Sequence, residues 1–267
     1  MITSRDNAQV RQVCAYQKKK KERDRDKVFV AEGERLVLEA PADALKAVYV
    51  SASYREGASG DAEHFLRLHE SVTQTVSDEV YAKMSEVETP QGILAVVEHR
   101  VTDREQGIGR PSAETGILLI LDGIRDPGNL GTIFRSAEAA GCAFVLMSAD
   151  TADLFSPKAV RATMGSIYRM PCAYTEDLAK EILSLRREKG YTVHAAQTGE
   201  GAVPYDRIDY TKGAVAFVIG NEGSGIRADV VSACDGAVVI PMAGKNESLN
   251  AAVSASVLLF EAARQRR

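Results

Sequence analysis

Three short clusters hold the polar and glycine residues through which this chain could do chemistry. The first runs Asp122-Gly123-Ile124-Arg125-Asp126-Pro127-Gly128-Asn129-Leu130-Gly131-Thr132-Ile133-Phe134-Arg135. An apolar run, Ile117–Leu121, turns there through Gly and Pro into a helix with Leu130, Ile133, Phe134 and Ala137 on its apolar face. Arg135 follows Leu130 by five residues, roughly 140° around the helix at ~100° per residue, so it need not join that face. A capped helix with a surface arginine would account for it. The second cluster is Gly220-Asn221-Glu222-Gly223-Ser224-Gly225-Ile226. Its glycines permit a sharp bend or a close approach of main chain to a ligand. The spacing is neither GxGxxG nor GxxxxGKS/T, and a tight turn would also explain it. The third cluster, Pro241 to Asn250, precedes a helix rich in Ala, Ser and Val. Ser248 or Asn246 is placed to cap that helix. Ala251, Ala252, Ser254, Ala255 and Ser256 allow close packing, in a core or at a subunit interface with equal weight.

Each cluster follows an apolar run: Ile117–Leu121, Ala214–Ile219 and Ala237–Ile240. Ala143–Met147 and Tyr191–Ala195 repeat the pattern, with helix-like segments between. Strands alternating with helices imply a parallel sheet covered on both faces, which pattern alone reads as doubly wound. Ligands of such sheets sit at loops beyond the strand C-terminal ends. The first half is a second α/β region. It has a helical start, then Val28-Phe29-Val30-Ala31-Glu32-Gly33, a helix over Glu34–Ala40 ended by Pro41, and a strand at Ala47–Val50. A helix at His64–Leu68, a strand at Val72–Val76, a capped helix start at Ser77–Val80 and a buried strand at Gly92–Val97 follow. The polar stretch with Gly107, Gly109 and Pro111 is the expected linker. The expected division is therefore 1–100, linker 101–115 and 116–267.

The chain has 267 residues, 45% hydrophobic and 26% charged, which excludes a wholly disordered or collagen-like protein. That length buries a real core without disulfide or metal staples. No apolar run approaches the ~20 residues of a membrane span, and the first residues lack the apolar stretch of a secretory signal. Cys14, Cys142, Cys172 and Cys234 are far apart with no CxxC spacing. They read as reduced thiols of a cytoplasmic protein, and four scattered histidines add no metal pattern. The net charge is -4, but the first thirty residues carry nine basic and four acidic side chains. A basic segment on an acidic body suits a local polyanion site, with Arg11, Lys18, Lys19, Lys20, Lys21 and Arg23 as candidate contacts. A solvated helix face weighs equally for a short lysine run. Tyr16 and Phe29 are too few to suggest base stacking.

Taken together, the three clusters resemble the SpoU (TrmH-like) family of the SPOUT superfamily, S-adenosylmethionine-dependent RNA ribose 2′-O-methyltransferases. The motifs occur in order as Asp122–Arg135, Phe217–Ile226 and Ile240–Asn250, and the stretch from Ser156 to Ser166 also resembles the family. Any one motif alone would be weak; their agreement across the C-terminal half is specific. The N-terminal half resembles the family's small ribosomal-protein-like α/β RNA-binding domain. It does so through its basic start, Phe29-Val30-Ala31-Glu32-Gly33 and Thr89-Pro90-Gln91-Gly92-Ile93. Asn7-Ala8 stands where many relatives have Asn-Pro. The resemblance implies an α/β SPOUT domain with a mostly parallel sheet and a trefoil knot, otherwise nearly absent from proteins. It also implies a homodimer with its cofactor pocket near the interface, acting on RNA, ribosomal ahead of transfer RNA, and on no membrane.

By that resemblance the reaction moves a methyl group from a sulfonium to a ribose 2′-hydroxyl, so positioning and deprotonating the nucleophile is the main task. Arg135 would sit at the hydroxyl. Arginine, with a pKa above ~12, is a poor base, so it is read as a hydrogen-bonding and phosphate-clamping group, the proton acceptor staying open. Asn129 would orient Arg135 or the ribose, and Glu222 would hold its loop or pair with a cation. Ser248 and Asn250 would complete the shell. Main-chain groups of Gly220, Ile240 and Leu249, with Thr198, would hold the cofactor. Two alternatives stand beside this reading: a non-catalytic RNA-binding or assembly protein on the same fold, and a base-methylating relative.

Overall fold

The computed structural model describes residues 1–99, 116–244 and 248–267. The expected linker, 101–115, and the candidate cap Asn246 lie outside the described residues. The rest forms two compact units, one within Met1–Arg100 and Asp153–Tyr168, the other within Val101–Ala152 and Arg169–Arg267.

In the first unit, helices α1 (Ala8–Lys18) and α2 (Lys20–Asp26) lead into β1 (Val28–Glu32). Then come α3 (Glu34–Leu38), β2 (Leu45–Ser51), α4 (Ala52–Gly57), α5 (Gly60–Leu68), β3 (Thr73–Val76), α6 (Asp78–Met84) and β4 (Ile93–Glu98). The sheet order is β1-β4-β2-β3, with β4 antiparallel to both neighbours and β2 parallel to β3. Every residue of β1 is buried, which its unbroken Val-Phe-Val-Ala run requires. Val28 and Val30 join Val10, Val13, Val80 and Met84 in one core cluster. Phe29, on the opposite face, meets Phe155 at 5.6 Å and Tyr168 at 6.0 Å between ring centroids. Those two aromatics flank α8 (Pro157–Thr163), whose N-cap is Ser156. This resembling stretch thus packs with the first unit, although it follows the second unit's leading strands in sequence.

The second unit contains β5 (Ile117–Asp122), α7 (Pro127–Ala139), β6 (Phe144–Ser148), β7 (Cys172–Thr175), α9 (Leu178–Glu188) and β8 (Tyr191–Ala196). It continues through β9 (Val203–Pro204), β10 (Ala214–Gly220), α10 (Ala228–Ala233), β11 (Gly236–Val239) and α11 (Ala251–Gln265). The sheet order is β7-β6-β5-β10-β8-β11-β9, and all its pairings are parallel. Leu118, Ile120, Ala216 and Val218 pack with Leu178, Ile182 and Leu185 of α9. The alternate residues Leu119 and Leu121 are equally buried, and α11 packs on β5 and β10. Continuous apolar strands are therefore covered on both sides, as expected. The five apolar runs all form strands. The runs also have two unforeseen neighbours, β7 and the two-residue β9, both at sheet edges. No described helix is long and apolar enough to cross a membrane.

Candidate active site

The strand order reverses direction between β5 and β10, a topological switch point at which ligands of open α/β sheets bind. The register sets Gly220 beside Asp122, so the first two clusters leave the sheet at one place. Asp122 is buried, at 2% exposure, and its carboxylate accepts from the main-chain and guanidinium nitrogens of Arg227, each at 2.8 Å. That pairing ties the strand end to the far side of the second cluster. Asn221 ties its near side. Its Nδ2 donates to the Gly123 carbonyl at 2.8 Å, and its Oδ1 accepts from the amides of Gly223 (2.9 Å) and Ser224 (3.0 Å). Asn221 and Gly225 also exchange main-chain hydrogen bonds of 3.1 and 3.0 Å. A Cβ on Gly220 would run into the main chain of Gly225 and Ile226, and Gly225 has φ +71°. The glycines thus close a compact loop whose ends touch. Sequence reasoning passed over Asp122, Asn221 and Arg227 as site-building residues. A buried carboxylate at a strand end was the available signal for the first.

The three clusters meet through side chains. Asn129 Nδ2 donates to Glu222 Oε1 at 2.7 Å, and Asn129 Oδ1 accepts from Asn250 Nδ2 at 3.0 Å. Asn250 is the N-cap of α11, with Oδ1 accepting from the amides of Ala252 (2.9 Å) and Val253 (3.4 Å). The cap is therefore Asn250 rather than Ser248. On α7 the cap is Asp126, which accepts the Asn129 amide at 2.8 Å.

Beside this network lies a cavity of about 370 Å³, within the size range of small-ligand sites. Thr198, Gly220, Ile240 and Leu249, the four candidate cofactor contacts, all line it, as do Glu222 and Ser248. Ile219, Val238 and Met242 add apolar wall. The main-chain groups of Thr198 and Leu249 make no hydrogen bond to a described residue. Free peptide donors and acceptors on an apolar wall match the needs of an adenine ring and its polar edge, so these residues fit the adenosyl part of S-adenosylmethionine. Asn129 and Asn250 stand behind the wall through Glu222. Arg135 does not line the cavity. It lies on α7, six residues beyond Asn129, exposed and without a hydrogen-bond or ionic partner among the described residues.

Of the candidate RNA contacts, Arg11, Lys18, Lys19, Lys20 and Lys21 are exposed on α1, α2 and the bend between them. Lys20 pairs with Asp24 at 3.3 Å. Arg23 departs from expectation. It is 5% exposed, bonded to Asp153 and the Tyr16 carbonyl, each at 2.5 Å. Its charge is neutralised inside the first unit, so it is not an RNA contact. Its partner lies 130 positions away.

Residues 116–260 match the SpoU rRNA Methylase family, and residues 7–95 match the MRM3-like substrate binding domain. The chain is 32% identical over 243 residues to the Bacillus subtilis 23S rRNA (guanosine(2553)-2′-O)-methyltransferase RlmP, covering 90% of each protein. Among solved structures, an AdoMet-bound rRNA methyltransferase from Sinorhizobium meliloti superposes with a TM-score of 0.85 at 32% identity. That match covers 98% of this chain and 97% of the other. The SpoU methyltransferase AviRb from Streptomyces viridochromogenes, in complex with AdoMet, gives 0.81 at 28% identity, covering 97% of this chain and 99% of the other.

Proposed function

The chain belongs to the SpoU rRNA methylase family, and we propose that it transfers the methyl group of S-adenosylmethionine to a ribose 2′-hydroxyl of RNA, ribosomal RNA foremost. One observation carries the reading: residues from loops after β8, β10 and β11 line one cavity, beside a hydrogen-bonded network that joins the loops after β10 and β11 to the helix after β5. When bound, the cofactor supplies an electrophilic methyl group, so this chain need only hold and orient the nucleophile. Thr198, Gly220, Ile240 and Leu249 hold the adenosyl part, and Ser248 lies at the same wall. Glu222 is oriented by Asn129, which is itself oriented by Asn250. Arg135 hydrogen-bonds the ribose oxygen and clamps the neighbouring phosphate, since a guanidinium keeps its proton throughout.

Arg135 stands outside the cavity lining of its own chain, which supports a homodimer in which one protomer's arginine serves its partner's cavity. Val253 and Phe260, seven residues apart on α11 and 46% and 43% exposed, supply an apolar stripe for that contact. The proposal carries three further parts: a trefoil knot in the C-terminal region, residues 1–100 as the RNA-holding region with 116–267 as the methyltransferase region, and a cytoplasmic setting. Four free cysteines agree with the last. Arg11 and Lys18 to Lys21 contact RNA phosphates.

The test is transfer of a labelled methyl group to 23S rRNA, with nuclease mapping of the product and calorimetry with S-adenosylmethionine. A 2′-O-methyl nucleotide is expected. A methylated base, or no binding at millimolar cofactor, would overturn the reading in favour of the base-methylating or the non-catalytic alternative.

A further inference from the structure

A second cavity, of about 300 Å³, lies wholly within the first unit, between the turn after β1 and the end of α8. We propose that this cavity, walled by Glu32, Leu36, Thr89, Gln91, Arg161 and Met164, receives one nucleobase of the RNA, turned out of its stack; the proposal rests on RNA being the substrate.

Four observations carry it. Arg161 lines the cavity, and its guanidinium makes no hydrogen bond or ion pair among the described residues, so its donors are uncommitted. Gln91 is held by its Oε1, which accepts the Glu34 amide at 2.8 Å, so its Nε2 stays a free donor. Glu32 is 7% exposed, and its carboxylate takes the Ser85 hydroxyl and the Glu86 amide, leaving one lone pair on each oxygen. Met164, the left-handed C-cap of α8 at φ +50°, is 41% exposed and lines the cavity.

The chemistry selects the occupant. A phosphate would meet the buried Glu32 carboxylate, while Arg35, the other cation of the wall, already pairs with Glu39 at 3.2 Å. A base edge carries donors and acceptors together, which suits a carboxylate, an amide and a guanidinium side by side. Its ring faces suit Leu36 and the thioether of Met164. Guanine matches best. Its N1–H and N2–H donate to a carboxylate, and its O6 and N7 accept from a guanidinium. Single-stranded or bulged RNA offers such unstacked bases.

The test follows the Met164 methyl resonance of the full-length protein during titration with guanosine, inosine, uridine and ribose 5-phosphate. Guanosine is expected to shift it, inosine and uridine to shift it less, and ribose 5-phosphate to leave it in place. Arg161→Gln removes the response and weakens binding of a 23S rRNA fragment by about 5- to 150-fold, with an unchanged salt slope. Loss of a phosphate contact would instead lower that slope by about 0.7 to 0.9. No response to guanosine, an equal response to ribose 5-phosphate, or a response that survives in Arg161→Gln would overturn the proposal. Calorimetry with S-adenosylmethionine keeps the two readings separate. Failed cofactor binding with an intact Met164 response sinks methyl transfer alone, and the converse sinks the nucleobase cavity alone.

Discussion

Asn250 donates from Nδ2 to Oδ1 of Asn129 at 3.0 Å, and its own Oδ1 is held by the first amides of α11. A helix start therefore fixes which way both amides point. Asn250 cannot flip without losing its cap, so Asn129 must present Nδ2 to Glu222. The polarity of the network is set by backbone geometry rather than by the side chains themselves.

That asymmetry separates two substitutions. Asn250→Ala removes cap and donor, and is expected to cost about 1 kcal/mol of stability along with most activity. Asn250→Asp keeps the cap, loses the donor, and should unfold at nearly the wild-type temperature while methylating slowly. Equal melting temperatures for the Ala and wild-type proteins would count against the cap.

Arg135→Ala should abolish methyl transfer while leaving both the melting temperature and cofactor affinity unchanged, because the side chain is exposed and unpartnered among the described residues. Calorimetry and thermal denaturation check the two invariants. Transfer at the wild-type rate would remove Arg135 from the mechanism.

Two basic residues two positions apart should behave oppositely. Lys21→Gln is expected to weaken RNA binding and lower the salt slope by about 0.7 to 0.9 without affecting folding. Arg23→Ala leaves Asp153 unpaired in a buried setting, with an expected loss of roughly 3 kcal/mol in denaturant unfolding.

Acidification should destabilise the protein. Burial lowers the pKa of His99, against the opposing pull of Asp24 and Asp153, and burial likewise lowers that of His194. The unfolded chain takes up these protons near about pH 6.5, the folded chain only at lower pH. Their stabilising contribution is present above that value and is lost as pH falls toward the folded-state values. His99→Phe keeps the stacking on Phe155, whose ring centre is 4.2 Å away, and removes one of the two protons. Melting temperatures at about pH 7.5 and about pH 5.5 should differ less in this variant than in the wild type. An identical difference would show that His99 does not contribute.

The second loop should tolerate no side chain at its start. Gly220→Ala forces the Gly225–Ile226 main chain aside, and both cofactor affinity and methyl transfer should fall while RNA binding is retained. Unchanged cofactor affinity in calorimetry would separate the loop from the cavity.

Much of this was legible in the sequence. Unbroken apolar runs such as Ile117–Leu121 and Ala214–Ile219 fix parallel strands, because burial on both faces leaves no polar alternation to misread. The four expected cofactor contacts, from the end of β10 and the chain after β8 and β11, line one cavity. What escaped depends on partners distant in the chain. Arg23 reads like its lysine neighbours until Asp153 is seen beside it. Asn250 reads as part of the nucleotide and cofactor shell, with Ser248 or Asn246 as the cap, until the helix start is known. Strands β7 and β9 are short edge strands, in which neighbouring chain rather than intrinsic preference decides the conformation.

The stretch Asp153–Tyr168 gives the first unit an acid for Arg23, a ring for Phe29 and the guanidinium of the second cavity. It reaches that unit only by way of β5, α7 and β6. The first unit is therefore not a cassette that can be exchanged at a single junction. A chimera joined within 101–115 would have to import its own version of this insert, or else strand a lone cation in its interior.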